Sequence, residues 1–436
     1  MKPEAMVSVA QPVRLIFLNR FFHPDHSATS QMLSDLAFAL AGPGCKVTVI
    51  TSRLRYDDAN ARLPPREVVD GVDIVRVATS RFGRHVLAGR AVDYATFYLN
   101  AAWALLRTAR KGDVVVAKTD PPMLGIIMRF VARLKGARFV NWLQDIFPEV
   151  ALALGIDSRP ARALFAVLRR FRDNSLRKAD LNVAIGELMA GRLAALGVAP
   201  ECVRVIPNWI DTGLVRPVEP ADNSLRAEWG LDQDFVVGYS GNLGRAHDVE
   251  TLLAAIASTE HNTQGGDVRW LFIGGGAQYD ALRAAAAMRG LGSVLFRPYQ
   301  PRERLAESLS VADLHIVSLR PELEGLIVPS KFYGIAAAGR ATVFIGEKDG
   351  EIARLVALHD CGITVPQGDG AGLAARVAEL AQDRTRCMVM GTNARRAAEA
   401  QFDLTKAIEA WEAAVAALPE PRPSQVPEPH SARKAS

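Results

Sequence analysis

The sequence is poor in cysteine, and its cysteines are not placed for a metal or disulfide framework. Four are present, with no C-x-x-C spacing and no pairing with histidines at zinc-site distances: Cys45, Cys202, Cys361 and Cys387. No D-x-D triplet follows a predicted strand, and the eight histidines form no cluster along the chain. We therefore expect neither a metal site nor a disulfide.

Long apolar runs are also missing. The first twelve residues, MKPEAMVSVAQP, lack the run of roughly 7–15 apolar residues that forms the core of a signal peptide. The longest uncharged stretch of interest for a membrane, residues 94–106, is shorter than the roughly 20 residues that a spanning helix needs. We expect a cytoplasmic chain without a transmembrane helix.

The charge balance favours an anionic partner. The chain has 436 residues, a net charge of +5 and a pI near 9.1, which suits a phospholipid surface, a nucleotide or a nucleic acid. No basic stripe interleaved with aromatic residues matches a nucleic-acid-binding module. We expect no nucleic-acid partner.

Short β-rich apolar runs alternate with helical ones along the chain. VRLIFLN, SQMLSDLAFALAGPG and KVTVITS predict a strand, a helix and a strand, and Gly42-Pro43-Gly44 ends the helix. The later runs VDIVRV, DVVVAK, ARFVNWL and DLNVAI are largely apolar, which is typical of parallel strands covered on both faces. The pattern predicts an α/β fold with a doubly wound sheet.

The length predicts two domains, since about 150 residues is a usual domain size. The first alternation ends at CVRVIPNWID, where Pro207-Asn208 signals a turn, and FVVGYSG starts a second alternation. We predict domains at 12–207 and 208–403, a final helix at 404–418 and a disordered proline-rich tail at 419–436. Two doubly wound domains would face a cleft at the carboxyl ends of both sheets.

Two glycine-rich turns in the second domain could approach a ligand closely. One contains Gly241 and Gly244, and the helix after it offers free N–H groups to a phosphate. The other contains Gly274 and Gly275, but Tyr279 occupies the third glycine position of a dinucleotide fingerprint, which disfavours a dehydrogenase. For either turn alone, an ordinary strand-to-helix connection is the alternative.

The segment EGLIVPSKFYGIAAAGR places opposite charges beside a predicted helix start near Ser330. Glu324 would offer a carboxylate to sugar hydroxyls, and Lys331 would offer a cation to a diphosphate. These charges favour a nucleotide sugar as the ligand. A salt pair on a surface loop is the alternative.

These motifs stand in the order and spacing of the family 4 retaining glycosyltransferases, which the chain resembles up to about residue 415. The motifs are Glu324-Gly325 with Pro329, the turn from Gly241 to Gly244, Gly274-Gly275, Ala312-Asp313 and Gly350-Glu351. LNRFFHPDHSATSQMLSDLA, WLQDIFPE, GYSGNLGRAHD, VPSKFYGIAAAGR and DGEIARLV are similar to segments of its exopolysaccharide and O-antigen subgroup, typified by N-acetyl-L-fucosaminyl and colanic-acid transferases.

This resemblance implies the GT-B fold, with an acceptor-binding first domain and a second domain that binds the nucleotide sugar. It also implies that the final helix packs back on the first domain, and that the enzyme needs no cofactor or metal besides its donor substrate. The implied donor is a UDP-N-acetyl-hexosamine, with GDP-fucose as the alternative. The implied acceptor is a polyprenyl-diphosphate-linked sugar at the inner face of the plasma membrane.

The chain departs from the family at the donor site. The family's second glutamate, eight residues after the first, is replaced by Phe332, or by Gly334 if the helix is aligned on Gly339. The usual arginine and lysine of the first loop correspond to Asn242 and His247. We hypothesise that Lys331, Arg245 and backbone N–H groups carry the diphosphate instead. Glu324 would bind the transferred sugar, and Glu351 the ribose or the sugar.

The first domain offers candidates for the acceptor side. The resemblance makes Asp145, in WLQDIFPE, the group that orients or deprotonates the acceptor hydroxyl; a helix cap is the alternative. Ser27, Thr29 and Ser30 could bind an acceptor phosphate at a helix start, or simply cap that helix.

Two segments of this domain could contact a membrane. RPARALFAVLRRFRDNSLRK, residues 159–178, combines seven basic residues with Leu164, Phe165, Leu168 and Phe171, and the uncharged stretch 94–106 precedes Arg107, Arg110 and Lys111. A buried core helix is the alternative for the second segment. Two other functions remain open: a degenerate, non-catalytic nucleotide-sugar-binding subunit, and a nucleotide-sugar 2-epimerase.

Overall fold

The computed structural model describes residues 13–56, 58, 61–82, 87–260 and 268–420. It contains two sheets, and the first has eight strands in the order β3-β4-β2-β1-β5-β6-β7-β8. All neighbours pair in parallel except β3 and β4. The strands are β1 Val13–Leu18, β2 Cys45–Ser52, β3 Arg66–Val69, β4 Val72–Val77, β5 Val114–Lys118, β6 Arg138–Trp142, β7 Leu181–Ala184 and β8 Val203–Val205.

Helices cover both faces of this sheet because its central strands are apolar on both sides. On β1, Leu15 and Phe17 pack into one core and Ile16 and Leu18 into another, as the twofold repeat of a strand requires. The helices are α1 Ala28–Leu40, α2 Leu87–Thr108, α3 Leu124–Leu134, α4 Glu149–Ala153, α5 Arg159–Arg177 and α6 Glu187–Ala195.

The second sheet has six parallel strands in the order β11-β10-β9-β12-β13-β14. Its strands are β9 Phe235–Asn242, β10 Val268–Gly275, β11 Val294–Arg297, β12 Leu314–Ser318, β13 Ala341–Ile345 and β14 Gly362–Val365. Its helices are α7 Ser224–Glu228, α8 Val249–Glu260, α9 Tyr279–Met288, α10 Leu305–Ser310, α11 Lys331–Ala337, α12 Glu351–Leu358, α13 Gly370–Gln382 and α14 Arg384–Ala397.

The last helix, α15 (Leu404–Ala416), returns to the first sheet. The Trp411 ring lies with its centroid 4.9 Å from that of Trp142 and 6.4 Å from that of Phe17, in the core beneath α1. Near the point where the chain crosses back, the Ile210 N–H donates to Phe402 O at 3.0 Å and the Leu404 N–H donates to Ile210 O at 3.0 Å. The two segments that connect the domains are therefore hydrogen-bonded to each other.

The predicted pair of doubly wound α/β sheets is confirmed. The strand β3, which forms an antiparallel edge with β4, was not anticipated from the sequence. The predicted disorder at 419–436 and the reading of the first twelve residues fall almost entirely outside the described residues. Within the described ranges, no helix has both the length and the hydropathy to span a bilayer.

Candidate functional site

The candidate site lies where the strand order of each sheet reverses. In the first sheet β1 stands between β2 and β5, and in the second β9 stands between β10 and β12. Ligands of doubly wound sheets bind outside the carboxyl ends of the strands at such points. The two edges meet, because Asp145 forms a β-bridge with Ile327 and the Ile146 N–H donates to Leu326 O at 2.9 Å.

The ends of β9 and β10 pack closely against each other at glycine residues. A Cβ at Gly274, where φ is +134°, would collide with the carbonyl oxygen of Gly241, where φ is +115°. The Leu243 N–H donates to Gly275 O at 2.7 Å and extends this contact. The glycines therefore permit a close approach between two strand ends, and this shapes the loop that faces the cleft.

A glutamine that sequence reasoning missed stabilises the same loop. Gln278 Nε2 donates to Gly244 O at 2.6 Å and to His247 O at 3.0 Å, and the Gln278 N–H donates to Leu243 O at 3.0 Å. An amide two residues after a glycine triplet was the available signal.

Lys331, the first residue of α11, extends beneath this loop. Its Nζ donates to Asn242 O at 3.3 Å and to Tyr239 Oη, and lies 4.0 Å from the centroid of the Tyr239 ring. Its third contact is His247 Nε2 at 3.3 Å. Burial lowers the pKa of Lys331 to about 7. Among the described residues, no carboxylate pairs with Lys331 at this loop.

The geometry assigns the tautomer of His247. Its Nδ1 lies 2.6 Å from Ser318 O, which can only accept, so Nδ1 carries the hydrogen and Nε2 accepts from Lys331. Burial and the nearby Lys331 lower the pKa of His247 to about 3. His247 is therefore neutral at physiological pH and does not replace the charge of a lysine at this position.

Three other predicted donor-side residues face solvent. Asn242, Arg245 and Ser330 are exposed. Arg245 makes no side-chain hydrogen bond or ion pair in the part of the chain that the structure describes, and Ser330 precedes α11 without a side-chain cap bond. All three side chains are accessible to a ligand in the cleft.

Glu324 and Glu351 take part in consecutive hydrogen bonds that connect the two domains. A carboxylate oxygen of Glu324 accepts the backbone N–H of Glu351 at 3.2 Å. The Glu351 carboxylate in turn accepts the N–H groups of Glu187 and Leu188, at 3.0 and 2.9 Å, at the first turn of α6. Glu351 thus caps a helix of the other domain. Burial is the main cause that raises the pKa of Glu324 to about 7, and the Glu351 charge adds to it.

On the first-domain side, Asp145 is half-buried at the domain contact. The Thr119 hydroxyl hydrogen-bonds its carboxyl, while its Oδ1 has no hydrogen-bond partner among the described residues. Burial, and next the charge of Asp120, raise the pKa of Asp145 to about 7. A cavity of about 40 Å³ adjoins this carboxyl, lined also by Lys118 and Asn141.

A second carboxyl group, Asp120, lies close by and was missed from the sequence. It hydrogen-bonds the Thr29 hydroxyl in the first turn of α1, and Arg20 and Lys118 face it. Burial raises the pKa of Asp120 to about 6, against the lowering effect of both cations. A lone aspartate between a strand and two prolines, in KTDPP, was the only sequence signal.

The three predicted acceptor-side hydroxyl residues have different surroundings in the structure. Thr29 contacts Asp120, and its carbonyl accepts from Lys118 Nζ at 2.8 Å. The Ser30 hydroxyl is fully buried and donates to Asp25 O at 3.2 Å, so it is used internally. Ser27 precedes α1 without a side-chain cap bond. Within the described ranges, no group of three or more potential ligands could hold a metal ion.

The chemistry therefore divides between the two sides of the cleft. The second domain presents a cation, an exposed arginine and a glycine-shaped loop, which suit a diphosphate. The first domain presents two carboxyl groups of perturbed pKa, which suit proton transfer from a hydroxyl. A nucleotide sugar held against an acceptor hydroxyl uses both sides.

Two family models match this chain. Residues 28–209 match the model of the Glycosyl transferase 4-like domain, and residues 234–383 match that of the Glycosyl transferases group 1. Together the two matches cover well over half of the chain.

Three individual proteins are similar to this chain. The probable glycosyltransferase WbjE of Pseudomonas aeruginosa is 28% identical over 64% of this chain and 68% of its own length. The putative colanic acid biosynthesis glycosyl transferase WcaI of Escherichia coli is 27% identical over 61% of this chain and 65% of its own. The structure of Anabaena HepE in complex with UDP-glucose superposes with a TM-score of 0.68 at 17% identity, over 92% of this chain and 99% of HepE. This superposition confirms the predicted GT-B fold.

Proposed function

The chain belongs to the glycosyltransferases that combine a glycosyl transferase 4-like domain with a glycosyl transferases group 1 domain, and on this premise we propose its reaction. It moves a sugar, with retention, from a UDP-sugar of the N-acetyl-hexosamine type to a lipid-linked sugar in polysaccharide assembly. WcaI, named for colanic acid biosynthesis, and HepE, solved with UDP-glucose, support the polysaccharide and the uridine base.

The observation that carries the proposal is Lys331 beneath the loop that follows β9. Lys331 is half-buried, its Nζ contacts Asn242 O at 3.3 Å, and no carboxylate pairs with it among the described residues; Arg245, in the same loop, is exposed. An incoming diphosphate would supply the missing negative charge. This arrangement replaces the two cations that the family usually has in the loop.

Glu324 would bind the transferred sugar from the opposite side. Its half-buried carboxyl has one oxygen bonded to the Glu351 N–H, while the other, Oε1, has no partner among the described residues. A sugar hydroxyl could satisfy that oxygen. Because Glu351 is bonded to α6, it would act on the sugar through Glu324 and would not touch the ribose.

The test of donor binding is a thermal-shift series with UDP, GDP, ADP and their common sugars. A ligand at about 100 times its Kd adds about 2.7 kcal/mol to the free energy of unfolding, which is readily measured. We expect a shift with UDP and UDP-sugars, and a smaller one in Lys331→Ala. A shift with GDP species alone would show that the donor is a guanosine nucleotide and not a uridine one. No shift with any nucleotide would contradict the proposal.

The proposed acceptor places the protein on an anionic membrane surface, at the inner face of the plasma membrane. Three neighbouring helices of the first domain, α2, α3 and α5, expose large apolar side chains: Leu99, Trp103, Phe130, Leu134, Leu164, Val167 and Phe171. Exposed arginines accompany them, among them Arg107, Arg169 and Arg170. We name this surface the apolar–basic face. Apolar insertion combined with basic charge is the chemistry of peripheral binding to anionic lipid.

Vesicle sedimentation tests this face. The triple variant Trp103→Ser/Phe130→Ser/Phe171→Ser should lose binding to phosphatidylglycerol vesicles, and the wild type should not bind neutral phosphatidylcholine vesicles. Met288→Ser/Leu358→Ser is the matched control, because these side chains are 83% and 72% exposed on the second domain. Equal binding by the triple variant and the control would remove the face from the proposal.

A further inference from the structure

A groove of about 530 Å³ lies between α2 and the outer strands of the first sheet. On the sheet side, Thr48 of β2 stands directly opposite Asp73 of β4, and Val75 follows on the same face. On the helix side, Asn100 Nδ2 donates to Ala78 O at 2.8 Å and fixes α2 beside the end of β4. We name this cavity the α2 groove. Its volume falls within the range of about 300–1,000 Å³ that is usual for small-molecule sites.

Four arginines line the α2 groove, and carboxylates hold two of them. Arg66 forms an ion pair with Asp73 at 2.7 Å, and Arg14 forms one with Asp113 at 3.3 Å. Asp73 is the acidic side chain among the lining residues, so its charge is already balanced by Arg66.

The other two arginines of the groove have no such partner. Arg107 lies in the last turn of α2 and Arg110 just after the helix, and both are exposed. No carboxylate pairs with either side chain in the part of the chain that the structure describes. A guanidinium group binds phosphate oxygens through two parallel hydrogen bonds. The α2 groove therefore offers two cations to an anionic ligand, and a phosphate ester matches their geometry.

An apolar rim borders these cations. Trp103 lines the groove and is exposed, and the guanidinium carbon of Arg107 lies 4.5 Å from the centroid of its ring. Leu99, one turn earlier on α2, is also exposed. Both side chains belong to the apolar–basic face. Since tryptophan rings favour the level of the lipid head groups, a membrane on this face would bring head groups to the groove.

The basic end of the groove is distant from the cleft. Because α2 connects the carboxyl end of β4 to the amino end of β5, it runs antiparallel to these strands. Tyr94, near the start of α2, interacts electrostatically with Asp120 at the cleft. Arg107 lies about 20 Å farther along the helix, at a rise of about 1.5 Å per residue. A head group bound at Arg107 is therefore too far from the cleft for its own hydroxyl to react there.

We propose that the α2 groove binds the phosphate of a phospholipid head group, as an anchor distinct from both substrates; this rests on the proposed function, which places the protein on an anionic membrane. Arg107 and Arg110 bind the phosphate oxygens, and Trp103 packs against the glycerol and the first acyl carbons. The apolar–basic face alone predicts attraction to any anionic surface. The groove adds one defined site that recognises a phosphate ester.

A soluble head group tests the groove without a membrane. Glycerophosphoglycerol, which is deacylated phosphatidylglycerol, is titrated by calorimetry at constant ionic strength, with UDP present to occupy the donor site. The wild type should bind it, and Arg107→Gln/Arg110→Gln should bind it at least about tenfold more weakly, because two charged hydrogen-bond donors are lost. Arg169→Gln/Arg170→Gln is the matched control for charge, since both side chains are exposed on α5 and neither lines the groove. This control should bind glycerophosphoglycerol as the wild type does.

Vesicles then test whether the ligand is a lipid. Arg107→Gln/Arg110→Gln should lose at least about tenfold more affinity for mixed phosphatidylglycerol/phosphatidylcholine vesicles than the control does, although both variants lose two charges. Equal vesicle binding by the two variants, with inorganic phosphate bound by the wild type as tightly as glycerophosphoglycerol, would show a site for free phosphate and would overturn the lipid assignment.

Other results would overturn the site itself. They are a wild type that does not bind glycerophosphoglycerol, and a groove variant that binds it as tightly as the control. If Arg107→Gln/Arg110→Gln does not fold, Arg107→Lys/Arg110→Lys decides, because it keeps both charges and loses the planar forks; an unchanged affinity for glycerophosphoglycerol would then refute the site. The thermal shift with UDP tests the proposed function separately. A protein that gives no shift with UDP, yet binds glycerophosphoglycerol through these arginines, would lose the proposed function and keep the groove.

Discussion

Donor affinity should depend on pH through Lys331. Burial lowers its pKa to about 7, and a bound diphosphate would raise that pKa by supplying negative charge. If the ammonium form is the one that binds, the apparent Kd equals the intrinsic Kd divided by the protonated fraction. That fraction falls from about nine-tenths at pH 6 to about one-tenth at pH 8, so Kd should rise roughly tenfold over this interval.

Isothermal titration calorimetry with a UDP-sugar measures this effect directly. The diphosphate diester of the sugar nucleotide does not titrate in this interval, and the pKa of His247, near 3, keeps that ring neutral throughout. At pH 7, two buffers of different ionisation enthalpy should reveal the uptake of about half a proton per donor bound.

Two variants provide the controls. Lys331→Arg keeps a permanent charge, so its affinity should change little between pH 6 and pH 8. Glu324→Gln removes another cleft group with a pKa near 7 and should leave the lysine dependence in place. A flat wild-type affinity, or a pH dependence that persists in Lys331→Arg, would refute the reasoning.

Three further predictions concern stability. Asp145→Asn should raise the free energy of unfolding by roughly 1–3 kcal/mol above pH 7 and leave it unchanged below pH 4, because the raised pKa makes the wild type lose stability as pH rises between these values; parallel stability curves would contradict this. Glu351→Gln should cost about 1 kcal/mol and speed hydrogen exchange at the first amides of α6, which it caps, whereas the exposed Glu379→Gln should do neither. Gly274→Ala should lower the melting temperature and donor affinity far more than Gly290→Ala, since both have positive φ but only Gly274 lacks room for a Cβ; equal losses would show that the close approach to Gly241 is unimportant.

The fold was predictable because each element carries a local signal. VDIVRV forms β4 over the predicted residues 72–77, and LTKAIEAWEAAVA forms α15 from the predicted Leu404. The exception, β3, is a four-residue edge strand, REVV. Its exposed residues, Arg66 and Val68, alternate with the half-buried Glu67 and Val69. So short a segment has no apolar run to detect.

The site was less predictable because its chemistry arises from contacts across the fold. The partners of the Glu351 carboxylate lie 163 and 164 residues away in sequence, so its role as a cap for α6 had no local signal. The lowered pKa of Lys331 depends on enclosure by Tyr239 and His247, which only the folded loop provides. Asp120 becomes notable only where its loop meets that of Asp145.

The return of α15 to the first sheet has a consequence for biosynthesis. During translation, the first half of the chain emerges from the ribosome long before Trp411 is synthesised. Trp411 nevertheless completes the core around Trp142 and Phe17. Until α15 is synthesised, the apolar surface of the first domain that this helix covers remains exposed. The two halves therefore cannot mature in simple succession, and the last helix acts as the closing step for the first domain.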